Sequence, residues 1–201
     1  VKTAGGGRVA VACSTPEHSE EAAARLGCAA ETAETILWES RFVFLGVKPQ
    51  MIAGVVKKLA GDIAGSDAIF VSMLAGTSLE RLAELLGADK KIIRIMPNTP
   101  CAVGQGLTLV APNDRVTAEE LADFKALLSV SGLLDDLPEH LIDAASAVSG
   151  CGPAYAYMFM EALADGAVKC GVPRAKAVRY AAQMLLGSAS LALESGRHPG
   201  E

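Results

Sequence analysis

Aromatic side chains are scarce: 4% of the 201 residues, with a single tryptophan. A chain of this length can bury one large core or two modest ones, and here Ala, Val, Leu and Ile must fill them, which suits helices packed over a parallel sheet. Histidine is limited to three, and the five cysteines (Cys13, Cys28, Cys101, Cys151, Cys170) are an odd number without CxxC spacing. A disulfide framework and a Cys/His metal site are both poor readings, and reduced thiols acting mostly as small core residues are expected. Basic runs are missing too. Eighteen Lys and Arg are scattered through a chain of net charge −5, so no nucleic-acid surface is expected. The longest charge-free stretch of the second half, 144–160, is broken by Gly150, Gly152 and Pro153 and is short for a bilayer span. With no membrane segment and no signal peptide legible, a cytoplasmic location is the expectation.

What is present is a repeated strand-and-turn pattern. Val9–Cys13 (VAVAC) reads as a strand that delivers Ser14 and Thr15 ahead of Pro16 and a helix over 17–26. Gly5, Gly6 and Gly7 precede that strand rather than follow it, so they read as a surface turn and not as a phosphate loop, which must open a helix. Phe42–Val47, apolar on both faces, reads as a central strand that ends at Lys48-Pro49; a helix over 51–60 returns the chain. Ala68–Met73 is the next strand and ends in Leu74-Ala75-Gly76-Thr77, and Leu79–Leu86 is a helix stopped by Gly87. The fifth strand, Lys91–Met96, runs into Pro97-Asn98-Thr99-Pro100, where the prolines deny ladder donors and present an amide side chain at the strand's carboxyl end. In a parallel α/β sheet that edge is where ligands bind. Small residues at four successive strand ends therefore suggest a dinucleotide-type crevice, although βα loops are rich in Gly, Pro and Ser in any case. No acid stands at Ser14 or Thr15, which favours NADP over NAD while leaving NAD open; helix capping is the competing role for both hydroxyls.

The second half changes character. A boundary is read at 113/114, followed by a capping box at Thr117 and Glu120 that starts a helix to Leu128, and a short connection punctuated by Gly132 and Pro138. Beyond Glu139 the chain reads as Ala-rich helices over 139–148, 153–169 and 173–195, with Gly171 and Gly196 at helix ends. Gly166 in mid-helix suggests close helix packing. Tyr155, Tyr157, Met158, Phe159, Leu163 and Val168 exceed what a small lone bundle hides, so a homodimer through these helices is expected, with a higher oligomer open.

Four short blocks, GVKP (46–49), SMLAG (72–76), MPNTP (96–100) and AVSGCGPAY (147–155), resemble in sequence and order the pyrroline-5-carboxylate reductases. The resemblance implies a Rossmann-like, mostly parallel α/β domain (1–113) followed by an all-α dimerisation and substrate domain (114–201). It implies NADPH-dependent reduction of 1-pyrroline-5-carboxylate to L-proline, an oxidoreductase activity on a CH–NH group. Ser14, Thr15, Gly46, Val47, Lys48, Pro49, Ala75, Gly76, Pro97 and Asn98 would line the cofactor, and Asn98, Ser149 and Gly150 would border the reacting carbon. An opening strand with its Gly-rich loop would lie upstream of Val1, and a loop holding the substrate carboxylate beyond Glu201. The chain departs from the pattern near 32–34, where an asparagine is expected, and at Cys151, where a serine is expected. Two other readings stay open. One is another NADP-dependent reductase or a β-hydroxyacid dehydrogenase using Lys125; the second is a dimerising scaffold without catalysis.

Overall fold

The computed structural model describes residues 7–198 and Gly200, so Gly5 and Gly6 of the expected amino-terminal turn lie outside the described residues. The chain divides into two compact units after Gly150. The expected boundary at 113/114 instead falls just behind a strand, because residues 106–136 complete the sheet of the first unit.

That unit opens with a small parallel pair, β1 (Ala10–Val11) and β2 (Ala29–Ala30), joined through α1 (Pro16–Leu26). A separate five-stranded sheet follows in the order β3 (Phe42–Leu45), β4 (Ile69–Ser72), β5 (Ile92–Met96), β6 (Gly106–Pro112) and β7 (Gly132–Asp136). Strands β3, β4 and β5 are mutually parallel, β6 is antiparallel to β5, and β7 is parallel to β6. Two sequence expectations change here. The stretch 42–47 is an edge strand of this sheet rather than a central one, and its Phe44 is 39% exposed. The stretches 106–112 and 132–136, read as connections, are strands; the glycines at their starts and the two aspartates ending β7 mask the pattern.

Strand alternation sorts the core into two faces. Phe70 and Ile92 point toward Ile52 and Val56 of α3 (Ile52–Lys58), Ile63 of α4 (Ala60–Gly65), and Leu82 and Leu86 of α5 (Leu79–Leu86). Further along the same face, Leu109 and Ala111 meet Ile142 of α7 (Glu139–Ser149). On the opposite face Val71, Ile93, Ile95 and Val110 pack on Phe124 of α6 (Ala118–Leu128), whose ring also meets Phe42 at 5.7 Å between centroids. The helix expected over 51–60 is broken at Leu59, which leaves helical geometry between α3 and α4. Between β2 and β3, α2 (Ala33–Glu39) starts on Thr32, whose hydroxyl accepts from the Thr35 N–H at 3.1 Å.

Two polar features outside the rim stabilise this frame. The buried Lys90 ammonium donates to the carbonyls of Ala64 and Ser66 at 2.8 and 2.9 Å, closing the carboxyl end of α4. Lys90→Met keeps the apolar stem but strands those carbonyls, and should lower unfolding free energy by about 2 kcal/mol in urea denaturation. At the start of α6, Glu120 completes the capping box with Thr117, and the Lys91 ammonium beside it, helped by the Thr117 N–H, holds its carboxyl below the usual range. A lowered folded value means that the stabilisation is present above the unfolded carboxylate range and is lost as pH falls through the folded one. Glu120→Gln preserves the capping geometry. The stability gap between Glu120→Gln and wild type should therefore be present at neutral pH and close in acid; a gap independent of pH would contradict this account.

The second unit is a hairpin of α8 (Gly152–Lys169) and α9 (Arg174–Ser195), with Ala164, Ala177 and Ala181 buried at the contact. Small side chains let the two helices approach. Tyr155, Tyr157, Met158, Phe159 and Leu163 are left exposed, Met158 at 67%. A Cβ placed on Gly166 would meet no atom within 4 Å beyond its own stretch of helix, so the close packing expected there is not made among the described residues. None of the five cysteines is buried, contrary to the expected core role: Cys13, Cys151 and Cys170 are exposed, and Cys28 and Cys101 are half-buried. No described helix is long and apolar enough to cross a membrane.

Candidate functional site

Register decides whether the strand ends share a rim. Leu45 lies opposite Ser72, and Ser72 opposite Arg94, in strands that run the same way. Their carboxyl ends therefore emerge side by side: Gly46-Val47-Lys48-Pro49 after β3, Ala75-Gly76 after β4, and Pro97-Asn98 after β5. Every one of these residues is exposed or half-buried. Gly76 has φ +69, a left-handed turn that L side chains rarely adopt, and the space its Cβ would occupy is empty to 4 Å. A Cβ on Gly46 would meet Met73 Cε at 3.6 Å, ordinary contact. The rim is thus open and lined by backbone, a surface that a flat or extended ligand can approach closely.

Asn98 is held more tightly than a ligand-facing amide needs to be. Its Nδ2 donates to the Ser149 carbonyl at 2.9 Å, and its Oδ1 accepts from the Leu107 N–H at 2.9 Å. The side chain therefore joins the end of β5 to the start of β6 and to the last turn of α7. The Ser149 backbone is brought beside Asn98, and Gly150, exposed, caps α7 with its N–H on Ser146 O at 2.7 Å. Ser149 is buried, and its Oγ finds no hydrogen-bond partner among the described residues. A buried hydroxyl without a partner costs about 1 to 3 kcal/mol, so its presence fits a group that is satisfied by a ligand.

Ser14 and Thr15 are placed differently. They lie beyond β1, between its end at Val11 and the start of α1; β1 pairs with β2, and no strand pairing among the described residues brings them to the β3–β5 rim. Thr15 is the cap of α1, its hydroxyl accepting from the His18 N–H at 3.3 Å, while Ser14 is exposed. The Glu17 carboxyl, in the first turn of α1, is held below its usual range by its own backbone N–H and by the Thr15 hydroxyl.

Lys125, the rival catalytic lysine, is ion-paired with Asp136 on β7 at 2.6 Å. Sequence reasoning missed Arg94. It stands in mid-β5, buried, with Nη1 3.1 Å from Glu139 Oε1 and Nη2 2.6 Å from Asp143 Oδ1. A cation interrupting the apolar run KIIRIM was the available signal.

The architecture defines a Rossmann-like α/β domain with an open carboxyl rim, followed by an α-helical unit. Residues 139–201 match the family described as pyrroline-5-carboxylate reductase dimerisation, and residues 2–76 match NADP oxidoreductase, coenzyme F420-dependent. Over 172 residues the chain is 43% identical to the pyrroline-5-carboxylate reductase of Escherichia coli, covering 86% of this chain and 64% of that protein. The 1-pyrroline-5-carboxylate reductase of Streptococcus pyogenes superposes with TM-score 0.87 at 34% identity, over 96% of this chain and 73% of that one. A Plasmodium falciparum pyrroline carboxylate reductase, solved with NADP bound, superposes with TM-score 0.78 at 28% identity, over 86% and 66%. The chain belongs to the pyrroline-5-carboxylate reductase family. It spans about 64% of the length of the E. coli relative.

Proposed function

We propose that the protein reduces 1-pyrroline-5-carboxylate to L-proline with NADPH. The shared rim carries the reading: three parallel strands release Pro49, Gly76 and Asn98 at one end of the sheet, in a chain of this family. The NADP-bound Plasmodium relative supports the choice of cofactor. Gly46, Val47, Lys48, Pro49, Ala75, Gly76 and Pro97 would hold the dinucleotide through backbone, and Ser14 would meet its ribose end. The hydride comes from the reduced nicotinamide when it is bound. Asn98 fixes the loop against which the imine lies, and the orphaned Ser149 Oγ is the hydroxyl available to substrate or carboxamide. The protonated imine already carries the proton that remains on nitrogen, so no residue has to deliver one. The protein's part is distance, angle and exclusion of water.

The exposed apolar face of α8 and α9 supports a homodimer, as does the dimerisation family matched by residues 139–201. A cytoplasmic location suits such an enzyme. Purified protein mixed with NADPH and the imine should lose nicotinamide absorbance and form proline in equal amounts. Absorbance loss without proline, or no loss at all, would remove the proposal.

A further inference from the structure

The geometry points to Arg94 as a positioning residue for the imine side of the proposed site, acting through α7 on Ser149 and Gly150; this rests on the reductase reading. Arg94 itself touches no part of the rim. Its guanidinium, 6% exposed, reaches Glu139 and Asp143 one helical turn apart on α7, and Glu139 Oε1 also accepts the Leu79 N–H at 2.6 Å, tying in the start of α5. Four residues further on, two past the end of β5, Asn98 holds the Ser149 carbonyl. Four extended residues advance about 13 Å, and the six to ten helical residues from Asp143 or Glu139 to Ser149 advance about 9 to 15 Å. The helix and the strand therefore run side by side in the same sense and are joined at two points. With one joint, α7 could pivot about it; with two, its last turn has a fixed position and rotation. A methionine of similar volume would fill the space of Arg94 without desolvating a charge. What the planar fork adds is direction, which a stem alone does not provide.

The test uses Asp143→Ala and Arg94→Met in the purified protein. Asp143 is 71% exposed, so its variant folds even if the buried arginine cannot be replaced. Turnover of the imine should fall about tenfold in Asp143→Ala and about a hundredfold in Arg94→Met, with KM for NADPH within about twofold of wild type. Arg94→Lys, which keeps the charge but loses the fork, should recover only part of the loss. Combining Asp143→Ala with Asn98→Ala should cost little more than Asn98→Ala alone, because both act through one helix. Without any substrate, amide exchange at Ser149 and Gly150 should quicken in Asp143→Ala while that of α3 stays unchanged. Unchanged exchange and turnover in Asp143→Ala, a KM for NADPH rising in step with that for the imine, or losses that multiply would overturn the assignment. Should wild type fail to reduce the imine, the reductase reading falls by itself, and the exchange measurement alone decides the role of Arg94.

Discussion

Asn98→Asp is expected to lower turnover with NADPH and 1-pyrroline-5-carboxylate by about a hundredfold or more, the scale set by misplacing reacting groups by roughly an ångström. The substitution alters a single atom of the side chain. Oδ1 can still accept from the Leu107 N–H, but the atom replacing Nδ2 is a carboxylate oxygen 2.9 Å from the Ser149 carbonyl oxygen. Two acceptors cannot share that distance, so the loop and the last turn of α7 must separate. Because the change is local and the loop is half-buried, the fold should survive with a stability loss of about 1 to 3 kcal/mol. Asn98→Ala is the comparator: it leaves the same two backbone groups unpaired without driving them apart, and should retain more activity than the aspartate. Steady-state kinetics with thermal melts on all three proteins checks this. An aspartate variant as active as wild type would mean that the joint between β5 and α7 has no part in catalysis.

The rim was legible from sequence because it is local chemistry. Proline at 49, 97 and 100 and glycine at 76 end strands wherever they occur, and Thr117 with Glu120 or Leu86 with Gly87 mark helix ends within a few residues of chain. The bounds of α5 and the capping box of α6 accordingly agree with the structure. What escaped depends on partners distant in sequence. β6 and β7 owe their place to pairing with β5 and with each other, and the glycines that open them and the aspartates that end β7 hide their alternation within 106–136. The same holds for Asn98. Its residue type and loop were readable, but its amide is also held by residues 9 and 51 positions away, which makes the side chain a joint between elements. Arg94 depends on carboxylates 45 and 49 positions away.

Gly132→Ala is expected to be the most destabilising single change outside the apolar core. Gly132 opens β7 opposite Gly106, the first residue of β6, with φ +127 and ψ −147, a backbone region essentially reserved for glycine. Strain there costs a side-chain-bearing residue about 1 to 3 kcal/mol. Space is the second obstacle: the added Cβ would sit 2.5 Å from Gly106 N and 2.9 Å from Gly106 C, and backbone cannot turn aside as a flexible side chain can. Overpacking of this kind adds about 1 to 3 kcal/mol, so the total should reach about 2 to 6 kcal/mol in urea denaturation. Gly106 has no room to retreat, since a Cβ on it would already overlap Cys101. The only relief is to lift β7 away or to push the start of β6, and the next residue, Leu107, carries the N–H that Asn98 accepts. Variant protein that remains folded should therefore also lose turnover, with Leu107 amide exchange rising in parallel. A Gly132→Ala protein with unchanged urea midpoint would show that the β6–β7 pairing is looser than this register allows, and would remove the support proposed here for the Asn98 loop.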